Sequence, residues 1–382
     1  FTGGAFQNAT IFALGIMPYI SASIIMQLLT SVIPTLEKLA KEGAEGYKKI
    51  NQYTRYGTIG LCLIQSFGYS HYLQILSADN PTNPIVVNPG FEFYFISMLS
   101  FTTGAAFIMW IGEQISEHGV GNGISLLIFI SIVSDIPTAI FRLLSLVRNG
   151  EITPIRALFL VAVLVVVVAA AIYITTGQRR IPVQYPRQVK GRKMYGGTRS
   201  YLPLRVNQAG VIPIIFASAI LTLPMWIGSS VRYETIYRFF ATHFDQDSLA
   251  YNVLYGALIV FFCFFYTAIT FNPVEMADNM KKYGGVIMGV RPGRATAEHL
   301  NYVMTRITLV GSLLLTGVAL FPTVVTVFLE VRDYIISRLF GGTSLLILVG
   351  VALDTLRQIE QHLVMRHYDG FTKGGRIRAR RF

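Results

Sequence analysis

Nine apolar runs of about 20 residues recur along the chain, separated by polar segments. A hydrocarbon core about 30 Å thick is crossed by a helix of that length, so each run is long enough to span a membrane. The ninth run is the least apolar, because it contains Asp354 and Arg357. The pattern predicts an all-α polytopic membrane protein. The predicted spans are residues 11–33, 57–76, 91–111, 123–145, 157–177, 207–228, 250–272, 303–324 and 338–360.

Composition supports this class. Hydrophobic residues make up 53% of the 382 residues and charged residues only 14%, which is too little charge for a soluble protein of this length. The two cysteines, Cys62 and Cys263, lie inside apolar runs. We therefore expect buried free thiols rather than a disulfide or a metal site.

Lysine and arginine are distributed unevenly between the two predicted faces. If the first span ends in the cytosol, the cytosolic segments hold 25 of the 32 basic residues. Such an asymmetry orients membrane proteins with the basic loops inside. Two of these loops, 178–206 and 273–302, are unusually long for connections between spans. The first carries eight basic residues and no acidic one, which favours an acidic partner such as RNA or lipid over a purely topological role.

Two pairs of segments repeat in the same order. Residues 15–23 and 210–218 both follow G-x-x-P-x-I-x-A-S, and residues 123–128 and 342–347 both follow G-x-S-L-L-I. The members of each pair are five spans apart, so matched helices cross the membrane in opposite directions. This predicts two inverted halves related by an axis in the membrane plane. The second half has five spans and the visible first half has four, so we expect one further helix before Phe1.

The repeat aligns isoleucines. Ile20 matches Ile215, and Ile128 matches Ile347, while Ile16 and Ile124 lie one turn from their neighbours on the same helix faces. Near the midplane, an inverted repeat brings matched positions to the same depth. The isoleucines could form a hydrophobic constriction that excludes ions by dewetting. They could equally face lipid or a neighbouring helix.

Longer segments resemble the SecY/Sec61-alpha family over essentially the whole chain, in collinear order. The implied fold has ten spans in two inverted halves around an hourglass pore. The implied domains are the end of a plug segment (1–10), an N-terminal half (11–147), a C-terminal half (148–360) and a basic cytosolic tail (361–382). The resembling segments include IFALGIMPYISASIIMQLL (11–29), QYTRYG (52–57), GEQISEHGVGNGIS (112–125), GQRR (177–180), LPLRVNQAGVIPIIFAS (202–218), FFCFFYTAITFNP (261–273), VRPG (290–293), VMTRITLVG (303–311) and GGTSLLI (341–347).

The resemblance also implies residue roles. A pore ring closes the channel at its waist. A lateral gate opens between the first and sixth visible spans, with Gln65 and Asn207 joined by mutual hydrogen bonds that an incoming signal sequence would replace. Cytosolic arginines and lysines dock partners. The implied ring is Ile16, Ile20, Ile124, Ile128, Ile215 and Ile347; the gate positions are Ser21, Gln65 and Asn207; the docking residues are Arg179, Arg180, Arg192, Lys193, Arg291 and Arg294.

The activity implied by the resemblance is protein conduction across, and lateral insertion into, the bacterial cytoplasmic membrane. No cofactor is implied, since partners hydrolyse the nucleotide. The implied partners are small subunits of the SecE and SecG types, the SecA ATPase, ribosomal RNA and proteins at the exit tunnel, signal sequences and nascent chains, YidC, SecDF and anionic lipids.

Two other classes of membrane protein fit these residues less well. A secondary transporter shares inverted repeats, but it usually buries ionisable residues near the midplane. The candidates here, Glu92, Asp135, Arg306 and Asp354, are expected away from that level. A membrane enzyme is disfavoured because the six histidines show no metal-ligand spacing and the chain has no P-loop motif.

Overall fold

A computed structural model describes residues 8–79, 86–185, 188–190, 193–195, 199–230, 248–328 and 342–374. Within these ranges the chain forms eleven helices and five short strands. The helices are α1 (Met17–Val32), α2 (Pro34–Lys41), α3 (Ala44–Asp79), α4 (Phe91–His118), α5 (Gly123–Arg148), α6 (Pro154–Thr176), α7 (Ile212–Ser230), α8 (Leu249–Thr270), α9 (Pro273–Lys282), α10 (Arg294–Phe328) and α11 (Gly342–Gly374). The strands are β1 (Gln178–Gln184), β2 (Gln188–Lys190), β3 (Lys193–Tyr195), β4 (Arg199–Arg205) and β5 (Val286–Ile287).

The predicted all-α membrane fold is confirmed. Among the described residues, six helices are long and apolar enough to cross a membrane, namely α4, α5, α6, α8, α10 and α11. The bent pair of α1 and α2 would make seven. The predicted second span lies inside α3, whose polar residues lower its hydropathy. The predicted sixth span coincides with α7, whose described apolar part is only Ile212–Leu221. The count of nine spans therefore stays a prediction.

The first helix begins later than predicted. Residues 11–16 form turns, and α1 starts only at Met17. Gly15 has φ of +54°, in the left-handed region that breaks a helix and that glycine adopts without steric cost. At its other end α1 turns by 98° into α2. Proline at position 34 disfavours helical geometry in the preceding residue, and Ile33 is accordingly extended at the bend.

A seam of polar side chains joins α3 to α4. The Ser66 and Thr102 hydroxyls are 3.2 Å apart, and those of Ser70 and Ser97 are 2.7 Å apart. Farther along, the Tyr94 hydroxyl donates to Gln74 at 2.6 Å and lies 3.0 Å from Nδ1 of His71. These bonds satisfy groups that would be costly to leave unpaired in an apolar surrounding. The seam explains how a helix as polar as α3 packs in this fold.

The repeated segments have matching local structures. Gly15 and Gly210 both have positive φ, +54° and +64°, and each lies two residues before the start of a helix that has proline as its second residue. Gly123 and Gly342 both open a helix against another backbone. A methyl group at Gly123 would overlap the carbonyl oxygen of Gly112, and one at Gly342 would overlap that of Ala319. The same glycines thus serve the same purpose in both halves of the chain.

The two long loops contain regular structure that the hydrophobic pattern did not predict. Strand β1 pairs antiparallel with β4, from Gln178 opposite Arg205 to Gln184 opposite Arg199. It also pairs with β5 of the second loop, giving the order β4-β1-β5. The inward side chains of β1, Ile181 and Val183, pack with α9 and α10 in one buried cluster. The sheet is therefore fixed to the end of α10.

Candidate pore and lateral gate

Four helices bring the predicted pore residues into one hydrophobic cluster. Ile16, Ile20, Ile128, Ile215 and Ile347 are all buried in it, with 1–7% of each residue exposed. Ile124 is partly buried and packs against the same cluster. Ile16 immediately precedes α1 and Ile20 lies on it, while the others come from α5, α7 and α11.

This arrangement supports a hydrophobic seal. The side chains are branched and apolar, so they offer water and ions no hydrogen bonds where they meet. Helices α1 and α5 belong to one repeat, and α7 and α11 to the other. The cluster therefore contains residues of both repeats, including the aligned pairs Ile20 with Ile215 and Ile128 with Ile347. Whether these residues form the narrowest point of a pore stays a prediction.

The predicted lateral gate lies where α1, α3 and α7 meet. Helix α1 packs against both α3 and α7, and α3 also packs against α7. Ser21 on α1 and Gln65 on α3 are half-buried, and Asn207 just before α7 is 8% exposed. The three predicted gate residues therefore come from three elements in mutual contact.

The expected hydrogen bonds between Gln65 and Asn207 are not seen. In the described part of the chain, no hydrogen bond joins them. The amide nitrogen of Asn207 instead donates to the carbonyl oxygen of Gly210 at 2.9 Å. Four residues of turn separate Asn207 from α7, and the polar side chain stabilises that turn rather than bridging to α3. The expectation was wrong for this conformation.

An ion pair that the sequence did not lead us to expect joins α3 and α4 beside the gate. Arg55 Nε lies 2.7 Å from Glu113 Oε1, and only 19% of the Glu113 side chain is exposed. The hydrogen bond that Arg55 donates to this carboxylate raises the pKa of Arg55. The sequence did contain a signal for this ion pair. Arg55 lies just before the predicted span 57–76 and Glu113 just after the predicted span 91–111, which places both residues on the same predicted face of the membrane. This ion pair is a second polar contact between α3 and α4, in addition to the hydrogen bonds of the polar seam.

A polar cavity of about 340 Å³ opens beside the hydrophobic cluster. It is lined by the starts of α5 and α7, the ends of α6 and α8, one residue of β4 and the part of α11 that follows the cluster. Its charged lining residues are Arg205, Asp354 and Arg357, of which the last two form an ion pair at 3.8 Å. The cavity lies between the end of β4 and the cluster that contains the predicted pore residues. A polar cavity in this position is what a channel with a central constriction would have at its entrance.

The sheet brings most of the predicted docking residues to one end of the molecule. Arg179 and Arg180 are exposed on β1. Arg291 lies on the turn that follows β5, and Arg294 is the first residue of α10. The carbonyl of Arg291 accepts a hydrogen bond from Thr296 at 2.8 Å, which fixes this turn. Lys193 belongs to β3, and Arg192 lies outside the described residues.

The charged residues considered for a transporter do not gather at the cluster. Arg306 stacks on Tyr302, 4.3 Å from the ring centre, and Asp354 pairs with Arg357. In the described ranges, no group of three or more histidine, cysteine, aspartate or glutamate side chains could hold a metal ion. Cys62 and Cys263 are buried and free, which confirms that prediction.

Comparison with known proteins decides the family. The SecY family model matches residues 10–356. The chain belongs to the SecY family. It is 46% identical over 387 aligned residues to the protein translocase subunit SecY of Escherichia coli strain K12, covering 99% of this chain and 84% of that one.

Solved structures agree on the fold. One described as the structure of a protein conducting channel covers 95% of this chain and 85% of its own, with a TM-score of 0.66 at 18% identity. Sec61 in the canine ribosome-channel complex from the endoplasmic reticulum covers 93% and 82%, with a TM-score of 0.60 at 17% identity. The SecY-type arrangement of helices is therefore present in this chain.

Proposed function

We propose that this chain is the channel subunit of a protein translocase. It conducts unfolded polypeptides across a membrane and releases apolar segments sideways into lipid. The observation that carries the proposal is the cluster of buried isoleucines contributed by both repeats. A seal of this kind can part around many different sequences because it makes no specific hydrogen bonds.

Side-chain energetics fit a lateral gate between α1 and α7. A charged residue costs about 2.5–3.5 kcal/mol at the centre of a membrane helix, whereas a leucine or isoleucine gains a few tenths. A gate that lets a segment sample both water and lipid can sort on this difference without catalysis. The chain belongs to a family of channel subunits rather than enzymes, and we propose that partners supply the driving energy.

The exposed basic residues of the sheet support a docking role on the cytosolic face. Arg179, Arg180, Arg291 and Arg294, with Arg192 and Lys193 of the loop 178–206, would contact the SecA ATPase or ribosomal RNA and proteins. Attraction of this kind depends strongly on salt. We further propose small subunits of the SecE and SecG types as a brace for the two halves. The other partners that we propose are YidC, SecDF and anionic lipids.

The location we propose is the bacterial cytoplasmic membrane, with the sheet and the chain after α11 in the cytosol. The multi-pass character follows from the six apolar helices. The orientation rests on the distribution of basic residues. The domain division made above, into the end of a plug (1–10), two halves (11–147 and 148–360) and a basic tail (361–382), remains part of the proposal. Only residues 8–10 of the first segment are described.

A crosslink across the gate tests the function. Two cysteines, one on α1 and one on α7, would be placed with Cα atoms 4.4–6.8 Å apart, as a disulfide requires. Oxidation should block translocation of a preprotein into vesicles, because the two helices could no longer separate, and reduction should restore it. The native thiols of Cys62 and Cys263 are buried and should not interfere.

The control places the same cysteine pair between α3 and α4, which the polar seam already joins. A bridge there should leave translocation almost unchanged. Full activity after complete crosslinking of α1 to α7 would contradict the lateral gate.

A further inference from the structure

The polar cavity contains an unusual set of side chains for a membrane channel. Four carboxamides line it, and the residues are contributed from before α5, from before α7 and from α11. A carboxamide carries both hydrogen-bond donors and an acceptor, as a peptide group does. The four are Asn122, Asn207, Gln208 and Gln358.

Asn122 presents a donor. Its side-chain oxygen caps α5 by accepting from the backbone nitrogens of Ile124 at 3.1 Å and Ser125 at 3.3 Å. This bond fixes the orientation of the amide, and its NH₂ group is left available. Among the described residues, that nitrogen has no hydrogen-bond partner.

Asn207 presents an acceptor. Its amide nitrogen donates to the carbonyl oxygen of Gly210 at 2.9 Å. In Asn207 it is therefore the nitrogen that is bound to the backbone, whereas in Asn122 it is the oxygen. Within the described ranges its side-chain oxygen has no partner, although Asn207 is only 8% exposed. The cavity therefore offers one fixed donor and one fixed acceptor from two different elements.

We propose that this cavity binds the main chain of the translocating polypeptide in an extended conformation. Asn122 Nδ2 donates to a main-chain carbonyl oxygen, and Asn207 Oδ1 accepts from a main-chain N–H. Every residue except proline offers both groups, so recognition is independent of sequence, as a channel for many substrates requires. The inference rests on the proposed function and deepens it by naming what the channel recognises in its substrate.

The charges of the cavity agree with recognition of the main chain. Asp354 and Arg357 partly neutralise each other at 3.8 Å, which leaves Arg205 as the one lining charge without an ion pair among the described residues. A cavity selecting for side-chain charge would present more of one sign. Two of the four carboxamides, Asn122 and Asn207, are instead already oriented by hydrogen bonds to the backbone.

Binding here would also reach the gate. Asn207 and Gly210 belong to the turn that leads into α7. The next residue, Val211, lies so close to α11 that a methyl group at Gly350 would overlap it. A segment held by Asn207 therefore contacts the start of a gate helix that is wedged against α11.

The test measures how long a chain stays in the channel. The full chain, assembled with its partner subunits in vesicles, would receive a preprotein halted by a folded C-terminal domain. Removal of the driving ATPase then lets the chain slide back, and protease protection gives its half-life. Asn122→Asp keeps the oxygen that caps α5 and removes the donor. Asn122→Ser also caps α5, but it is neutral and short.

Both variants should shorten the half-life by about two- to tenfold, which is the effect of losing one hydrogen bond. Only Asn122→Asp adds a charge. If both variants shorten the half-life equally, the cause is the loss of the donor and not the added charge. The matched control is Asn272→Asp. Asn272 caps α9 with the same distances, 3.1 and 3.3 Å, outside the cavity lining, and its variant should behave as the unmodified protein does.

The substrate provides a second arm. Ester linkages in place of amides weaken the carbonyl acceptor and remove the N–H donor. A segment carrying them should slide back faster from the unmodified channel, and Asn122→Asp should then add little. Half-lives equal to that of the unmodified protein in both Asn122 variants would overturn this inference while leaving channel function intact. If the unmodified channel protected no chain, the proposed function itself would fail.

Discussion

Isoleucine has physical properties that suit the centre of this molecule. Two branches at Cβ restrict its rotamers, so the side chains at the junction of the two halves present a stiff apolar surface. The same residue type occurs throughout membrane helices, and composition alone could not distinguish the cluster from lipid-facing positions. The internal repeat supplied the distinction, because it paired Ile20 with Ile215 and Ile128 with Ile347.

A pair of substitutions on α5 separates these two environments. Ile128 is 1% exposed in the cluster, whereas Ile130 on the same helix is 56% exposed. Ile128→Thr adds a hydroxyl to the apolar cluster that we propose as the seal, so the resting channel should conduct ions measurably in planar bilayers. Ile130→Thr should leave the resting conductance unchanged. Equal conductance in the two variants would show that Ile128 is not part of the constriction.

At the scale of helices and strands, the sequence predicted the apolar helices well because their length and composition leave few alternatives. The sequence prediction failed where backbone geometry determines the start of a helix or the pairing of strands. The late start of α1 depends on Gly15, whose φ cannot be read from a hydrophobic pattern. The sheet was missed because its strands are short and basic, although the alternation at Ile181 and Val183 was a signal. The third strand, β5, follows about 100 residues later in the chain, so its pairing with β1 is not visible in a local pattern.

The turn before α7 allows a test of backbone conformation alone. Gly210 has φ of +64°, and no atom lies within 4 Å of the position of an added Cβ. Gly210→Ala should therefore destabilise the protein by about 1–2 kcal/mol through strain without a clash. Gly210→Asn should cost less, because asparagine tolerates this region. The measurement is the midpoint of thermal unfolding of the purified complex.

Gly317 in α10 is the matched control, since an added Cβ there also meets nothing within 4 Å and its φ is not in the left-handed region. Gly317→Ala should stabilise the protein by up to about 1 kcal/mol. A similar change in unfolding midpoint for the two alanine variants would show that the left-handed turn before α7 is not under constraint.

For the whole molecule, the pairing of β1 with β5 matters most, because it joins two loops that the sequence separates. This pairing attaches the segments that carry the predicted docking residues Arg180 and Arg291 to each other, and the docking surface that we propose contains both. The sequence indicated both loops by length and charge. It could not show that they are joined, since that depends on strand pairing across the helices α7, α8 and α9 that are described between them.

This surface is testable through salt. Arg291→Glu should weaken binding of the ribosome or of the SecA ATPase. For the ribosome, the slope of log affinity against log salt should become shallower by about one for each RNA phosphate that the side chain no longer neutralises. The matched control is Arg156→Glu, in the first turn of α6 on the predicted opposite face. An unchanged affinity and slope for Arg291→Glu would remove that residue from the docking surface.

The polar seam between α3 and α4 has a consequence for how the protein itself is made. Alone in lipid, α3 would expose Ser66, Ser70, His71 and Gln74. The two serines also donate to carbonyl oxygens of α3 itself, but His71 and Gln74 would lose the Tyr94 hydroxyl. Its partners, Thr102, Ser97 and Tyr94, are synthesised later. During biogenesis α3 is therefore expected to wait in a sheltered environment until α4 emerges, and the two should enter the bilayer as a hairpin. A protein proposed to release apolar segments into lipid would thus include a helix that depends on its neighbour for its own insertion.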